Sequence, residues 1–251
     1  MARAAPDGYT LMIITNGMVA VAPLFQRQLP YDPLNDFEYI SMIANTPLVF
    51  VTSSDSAFET LGDLVRAAST EPATVSFSSS GLGTSIHQAM ALLNKSTGAS
   101  MLHVPYKSGA EAATAVLSGT VVATAVETVV VGPMIASGKL RALGLTAAQR
   151  VPSLPDVPTV KETIGTELEA GSLSGLVAPK GTPSQILARL EAAIHVAVRS
   201  ELAADRIYSQ GSQPMLEGSA VYREKMLEEQ EKWRHVFAEQ IKQFEESGSK
   251  R

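Results

Sequence analysis

Short runs of β-branched and apolar residues alternate with helical patterns along this chain, and no other feature constrains its fold as strongly. The run PLVFVTS occupies residues 47–53. Four runs of the same kind follow it: TVSFS, MLHVPY, VVATAVE and LRALGLT. Strands that alternate repeatedly with helices are typical of α/β proteins rather than of helical bundles or β-sandwiches. We therefore predict an α/β fold.

The helical segments between these runs have recognisable ends. Thr60 and Asp63 have the spacing of a capping box, which predicts the start of a helix. Ser108 and Glu111 repeat that spacing before a second helix. Gly98 predicts the end of the helix that follows TVSFS, because glycine readily adopts the left-handed conformation that closes a helix.

Three further segments complete the chain. Residues 11–25, LMIITNGMVAVAPLF, resemble the apolar core of a signal peptide, but Asn16 and Gly17 interrupt them, so we predict a strand, a turn and a helix start. The proline-rich stretch 151–162 predicts a loop or an ordered linker. An apolar stripe predicts one final amphipathic helix from about Ser219. The stripe consists of Met226, Trp233, Phe237, Ile241 and Phe244.

The composition disfavours several classes of function. With 251 residues, a net charge of −5 and a pI near 5.4, the chain lacks a long-range attraction for nucleic acid or an anionic membrane. It contains no cysteine, and its four histidines lack the spacing of metal ligands. No stretch is long and apolar enough to span a bilayer. We expect no metal, no cofactor, no nucleic-acid partner and no direct membrane insertion.

A glycine-containing loop, FSSSGLGTSIHQ at 77–88, lies between a predicted strand and a predicted helix. It is not a Walker loop, because Gly83 is followed by Thr84 and Ser85 with no lysine. It is not a dinucleotide fingerprint, because Ile86 occupies the place of the third glycine. The order Gly81-Leu-Gly-Thr-Ser also differs from the Gly-x-Ser-x-Gly of a nucleophile elbow.

Two interpretations of this loop remain. It is either an anion cradle, built from backbone N–H groups at a helix N-terminus, or a well-capped turn that binds nothing. In the first interpretation, hydroxyl groups add to the backbone donors. They come from Ser79, Ser80, Thr84 and Ser85.

Six separated phrases together resemble one protein family. They are ARAAPDGYTL (2–11), LPYDPLNDFEYIS (29–41), SSSGLGTSIHQ (78–88), HVPYKSG (103–109), SGKLRALGLT (137–146) and PSLPDVPTVKE (152–162). In this order and at this spacing, they resemble the substrate-binding proteins of tripartite tricarboxylate transporters, the Bug family. The resemblance covers nearly the whole chain.

This resemblance implies a bilobed, periplasmic-binding-protein-like (type II) receptor with two α/β lobes. The receptor would close over a small carboxylate and deliver it to the membrane components of the transporter. The expected first lobe combines residues 1–45 with 173–251, and the second lobe spans 46–172. The two crossings, near ANTPLV and GSLSG, would form the hinge.

The resemblance also implies the ligand site. The loop residues it assigns are Ser79, Ser80, Gly81, Gly83, Thr84 and Ser85. Thr15 and Asn16 resemble a Thr-Asn pair that faces the same cleft, although Asn16 is equally readable as a turn residue. Glu127 lies where relatives carry acidic or amide groups, and its alternative is an ordinary strand-end carboxylate. For His87, a local hydrogen bond at the helix start is favoured over ligand contact.

Relatives begin with a signal peptide, a first strand and a proline- and glycine-rich loop, so we expect this chain to lack the N-terminal strand and helix of its first lobe. One alternative to a receptor is therefore a truncated fragment that has lost ligand binding. The Ser, His and Asp residues make a serine hydrolase the other alternative. The hydrolase is disfavoured because Ser85 and His87 lie on different faces of a helix. The resemblance implies a periplasmic location; without a signal peptide, the alternative location is the cytoplasm.

Overall fold

The computed structural model describes residues 1–26 and 28–248, and it confirms the α/β class. The strands are β1 (Met12–Thr15), β2 (Phe37–Ser53), β3 (Ser76–Ser79), β4 (Leu102–Pro105), β5 (Ala123–Glu127), β6 (Leu140–Leu145), β7 (Gly171–Pro179) and β8 (Gln213–Pro214). The α-helices are α1 (Ala22–Phe25), α2 (Leu61–Thr70), α3 (Ser85–Thr97), α4 (Gly109–Leu117), α5 (Thr128–Ala136), α6 (Val160–Ile164), α7 (Ser184–Val198), α8 (Glu201–Ser209), α9 (Ser219–Val236) and α10 (Ala238–Gly248). A π-helical turn, Gly17–Val21, precedes α1.

The chain forms two compact units. The first consists of Met1–Asn45, Ser172–Ile207 and the chain from Ser212 onward. The second consists of Thr46–Gly171 and Tyr208–Gly211. Strand β2 contributes its first part to the first unit and its second part to the second.

In the first unit, β7 lies between β1 and β2, and β1 pairs with β7 in antiparallel fashion. Helix α9 supplies Tyr222, Met226 and Trp233 to the buried core. Gly175 of β7 admits no side chain, because a Cβ there would lie 2.5 Å from the Tyr222 ring and 2.6 Å from a backbone oxygen. This close approach explains why a glycine occupies a strand interior.

In the second unit, the sheet order is β6-β2-β5-β3-β4. Strands β3, β4 and β5 run parallel, so their carboxyl ends share one edge of the sheet. Apolar clusters cover both faces. One contains Leu61, Leu64, Met90 and Leu93 with Phe50 and Phe77, and the other contains Ala113, Val116 and Val131 with Val49 and Val51.

Several local predictions are confirmed. Thr60 and Asp63 form the expected capping box. At the second helix the Ser108 hydroxyl accepts the Glu111 N–H at 3.2 Å as expected, but the Glu111 carboxylate accepts the N–H of Lys107 at 3.4 Å instead of that of Ser108. Helix α3 ends at Gly98, whose φ of 72° lies in the left-handed region.

One helix prediction was wrong: the final amphipathic helix is two helices, α9 and α10, separated at Phe237. The backbone of Phe237 (φ −97°, ψ 17°) leaves the helical region. The Phe237 ring is fully buried and lies 5.4 Å from the Phe25 ring and 5.8 Å from the Trp233 ring. Ring packing at the break therefore accompanies the departure from the sequence periodicity.

Two kinds of feature, a membrane-spanning helix and a metal-ligating group, are absent from residues 1–26 and 28–248. No helix there has the length and apolar character needed to cross a membrane. No group of three or more metal-ligating side chains occurs in the same residues.

Candidate functional site

The loop between β3 and α3 lies at the edge of the second unit's sheet where the parallel strands end. Ser79 is the last residue of β3, and Ser85 is the first residue of α3. Glu127, the last residue of β5, ends at the same edge. In open α/β sheets, ligands bind outside the carboxyl ends of parallel strands, so this edge is the candidate site.

The loop's shape depends on two glycines. Gly81 has a φ of 115° and Gly83 a φ of 78°, values that side chains other than glycine rarely adopt. A Cβ added at Gly81 would meet no atom within 4 Å. Glycine is therefore needed at position 81 because of the backbone conformation and not because of steric crowding.

The loop's hydroxyl groups mostly stabilise the loop itself. The fully buried Ser79 Oγ accepts the Gly81 N–H at 3.0 Å and lies 2.6 Å from His103 Nε2. The Thr84 hydroxyl donates to the Gly81 carbonyl at 2.8 Å. Neither hydroxyl is a free donor at the surface of the loop.

The N-terminus of α3 has no side-chain cap. Thr84 is the N-cap residue, but its side chain makes no capping hydrogen bond. The first N–H groups of a helix have no intrahelical acceptor, and among the described residues none accepts those of Ser85 and Ile86. This geometry disfavours the capped-turn interpretation and leaves two backbone donors at the positive end of the helix dipole.

Two histidines lie against the loop. His87 Nδ1 accepts the Gly83 N–H at 3.0 Å, which confirms the local hydrogen bond predicted for it. The His87 and His103 rings stack with centroids 4.3 Å apart, and the Phe77 ring stacks on His103 at 4.9 Å. Burial, and secondarily the neighbouring His103, lowers the pKa of His87 to about 3, and burial also lowers the pKa of His103. Both rings are therefore neutral near pH 7.

Glu127 is brought directly to the start of α3. The Ser85 hydroxyl donates to Glu127 Oε1 at 3.3 Å, and the Glu127 side chain is half-buried. Residues 76–94 contain neither lysine nor arginine. Within this stretch of chain an anion would be held by dipoles and hydrogen bonds, with the Glu127 carboxylate nearby.

Thr15 and Asn16 lie in the first unit, whereas the other predicted site residues lie in the second. Thr15 pairs with Ser174 in the β1–β7 ladder. The buried Asn16 amide donates to Glu229 Oε2 at 2.9 Å and accepts the Leu173 N–H at 3.2 Å. Its side chain thus makes structural hydrogen bonds on both sides.

Gln88 is a loop contact that sequence reasoning missed. Its Nε2 donates to the Gly83 carbonyl at 2.9 Å, and its side chain is buried. Within the described residues, Gln88 Oε1 has no hydrogen-bond partner. The signal available in the sequence was a glutamine in the first turn of α3, directly after His87.

Comparison with known proteins gives a consistent picture. The sequence profile of the tripartite tricarboxylate transporter family receptor matches residues 1–241. A UPF0065 protein from a Pseudomonas species, encoded in a tcbD–tcbE intergenic region, is 34% identical over 240 residues, which cover 95% of this chain and 71% of the relative.

Two solved structures are also similar. An R. palustris protein solved with adipate has a TM-score of 0.83 and 27% identity, covering 94% of this chain and 79% of that chain. MatC from Rhodopseudomonas palustris, with bound malate, has a TM-score of 0.78 and 26% identity, covering 94% of this chain and 81% of that chain. Both ligands are dicarboxylates.

Proposed function

Because the chain belongs to the tripartite tricarboxylate transporter receptor family, we propose that it binds a small carboxylate and delivers it to the membrane components of such a transporter. The family consists of substrate-binding receptors rather than enzymes. Its receptors are periplasmic, and we propose the periplasm as the place where this chain acts.

The observation that carries this proposal is the uncapped start of α3. Backbone N–H groups at a helix N-terminus bind anions, because unsatisfied donors and the positive end of the dipole coincide there. The N–H groups of Ser85 and Ile86 meet this description. A carboxylate fits such donors without any cationic side chain.

The proposed ligand-binding residues follow from this placement. In the second unit they are Ser79, Ser80, Gly81, Gly83, Thr84, Ser85 and Glu127. Ser79, Gly81, Gly83 and Thr84 act by shaping the loop, since their polar groups are already bonded within the loop or to His103 and His87. Thr15 and Asn16 stay predicted from the family resemblance, as do the lobe boundaries at 1–45 with 173–251 and at 46–172.

The ligands of the two solved relatives support the chemical class. Adipate and malate each present carboxylate groups at both ends of a short carbon chain. We propose a ligand of this size range with at least one carboxylate.

Calorimetric titration with mono-, di- and tricarboxylates and amino acids tests the proposal. We expect saturable binding of at least one carboxylate and none of its amide analogue. Absence of binding across the panel would contradict the proposed function.

Replacing Ser85 with proline tests the anchor itself. Ser85 is the first residue of α3, where proline is tolerated, and Thr84 (φ −70°, ψ 162°) already has the extended backbone that proline requires before it. Ser85→Pro removes the hydroxyl and the N–H donor, whereas the matched control Ser85→Ala removes only the hydroxyl. We expect Ser85→Pro to bind roughly tenfold more weakly than Ser85→Ala at similar melting temperature. Equal affinities of the two variants would exclude this N–H as a ligand donor.

A further inference from the structure

We propose that His87 and His103 are positioning residues, which hold the loop of residues 79–83 in its ligand-binding shape through two specific ring nitrogens. This inference rests on the proposed function of the loop and assigns the residues that set its geometry. Neither histidine needs to touch the ligand.

The two rings bond opposite ends of the loop. His103 Nε2 lies 2.6 Å from the Ser79 hydroxyl, at the end of β3. His87 Nδ1 accepts the N–H of Gly83, close to the start of α3. Between these two points the backbone adopts the positive φ values of Gly81 and Gly83, which an unrestrained chain would leave readily.

Each ring nitrogen has a defined role. Because His87 Nδ1 accepts a hydrogen bond, the neutral ring carries its proton on Nε2. Ser79 Oγ accepts the Gly81 N–H and lies within reach of both His103 Nε2 and the Gly81 carbonyl. The hydroxyl therefore links His103 to the peptide groups of Gly81.

Stacking couples the two anchor points. The His87 and His103 rings are inclined by 26° at 4.3 Å, and Phe77 extends the stack at 4.9 Å from His103. His87 is only 3% exposed, so its ring has little room to turn. A ring that cannot turn keeps Nδ1 directed at Gly83.

The positions of the two nitrogens define the test. The amide oxygen of asparagine occupies nearly the position of a histidine Nδ1, and the amide of glutamine nearly that of Nε2. We expect His87→Asn and His103→Gln to retain the loop geometry. The mismatched variants His87→Gln and His103→Asn should lose it, as should His87→Phe, which keeps an aromatic ring without an acceptor.

Two measurements on the full chain separate this inference from the proposed function. Hydrogen exchange of the Gly83 amide, followed by NMR without ligand, should be roughly tenfold faster in His87→Phe and close to wild type in His87→Asn. Titration with malate and adipate should give affinities that follow the same pattern, close to wild type in His87→Asn and weaker in His87→Phe. The exposed residue His235 provides the control His235→Phe, which should change neither readout.

The outcomes are distinct. Wild-type protein that binds no carboxylate contradicts the proposed function, whereas the Gly83 exchange data still decide the role of His87. Equal Gly83 exchange in the wild type, His87→Phe and His87→Asn would overturn the positioning role. Slow exchange in His87→Asn together with fast exchange in His87→Gln would support it. The two amide side chains differ in where they place the acceptor oxygen, and overall destabilisation of the fold would not produce this difference in exchange.

Discussion

The hydroxyl of Ser85 donates a hydrogen bond to Glu127, with 3.3 Å between Oγ and Oε1. The first residue of α3 and the last residue of β5 are thereby joined at the edge of the second unit's sheet. A carboxylate is thus already present beside the helix N-terminus that we propose as the anchor for a ligand carboxylate. Its charge repels a second acidic group on a ligand and attracts an ammonium or hydroxyl donor.

Replacing Glu127 with glutamine should shift the ligand preference toward bare dicarboxylates. The variant keeps a hydrogen-bond acceptor for Ser85 but removes the negative charge. We expect the ratio of affinities for succinate and aspartate to change roughly tenfold in favour of succinate. Calorimetry with both ligands measures this ratio, and Glu71→Gln, on an exposed residue after α2, is the control. An unchanged ratio would place Glu127 outside the site.

Replacing Gly81 with alanine should weaken ligand binding through the backbone alone. A Cβ there meets no atom, so the penalty comes from the φ of 115° and amounts to about 1–3 kcal/mol. Gly62 is the matched control, since it lies within α2 without a positive φ and a Cβ there makes only ordinary contacts, at 3.6 Å from Thr60 Oγ1 and 3.8 Å from Ile164 Cγ2. Gly62→Ala should be neutral or stabilising by up to about 1 kcal/mol. Thermal unfolding and titration measure both effects, and equal behaviour of the two variants would contradict the strain argument.

Acidification should destabilise the protein through His87. Its folded pKa of about 3 lies below the unfolded value of 6.5, so the unfolded chain binds more protons between these values. Stability is therefore complete above pH 6.5 and falls as the pH falls toward 3, by about 2 kcal/mol at pH 5. Urea unfolding at pH 7 and pH 5 measures this difference. On acidification from pH 7 to pH 5, His87→Phe should lose about 2 kcal/mol less stability than the wild type. An identical pH dependence in this variant would contradict the assignment of the effect to His87.

Removing Glu229 should destabilise the first unit. Its carboxylate accepts hydrogen bonds from Asn16 Nδ2 at 2.9 Å and from Trp233 Nε1 at 2.7 Å, both in buried surroundings. Glu229→Ala leaves these donors without that acceptor, which should cost about 3 kcal/mol. Glu231→Ala is the control, because Glu231 is exposed and its ion pair with Arg234 contributes little. Similar unfolding free energies for the two variants would contradict this role of Glu229.

Local features of the fold were predictable from the sequence, because neighbouring residues determine them. Thr60 with Asp63 and the glycine after α3 define helix ends within a few residues of chain. Distant pairings were not predictable in this way. Ser79 and His103 lie 24 positions apart, and Asn16 and Glu229 lie 213 apart.

The break at Phe237 and the length of β2 show why sequence patterns alone did not suffice. The apolar periodicity continues through Phe237, but tertiary ring packing accompanies a different backbone there. Strand β2 extends from Phe37 to Ser53, whereas only its second part was predicted. Pairing with β7 and β8 extends the strand to residues whose local pattern gave no clear signal.

The donors at the start of α3 belong to the backbone, so every residue type except proline supplies them at positions 85 and 86. Mutational drift at these two positions therefore leaves the proposed carboxylate anchor in place, provided that the loop keeps its shape. Selectivity, in contrast, depends on side chains such as Glu127 that one codon change alters. A receptor built in this way can acquire a new ligand during evolution while its means of holding a carboxylate stays the same.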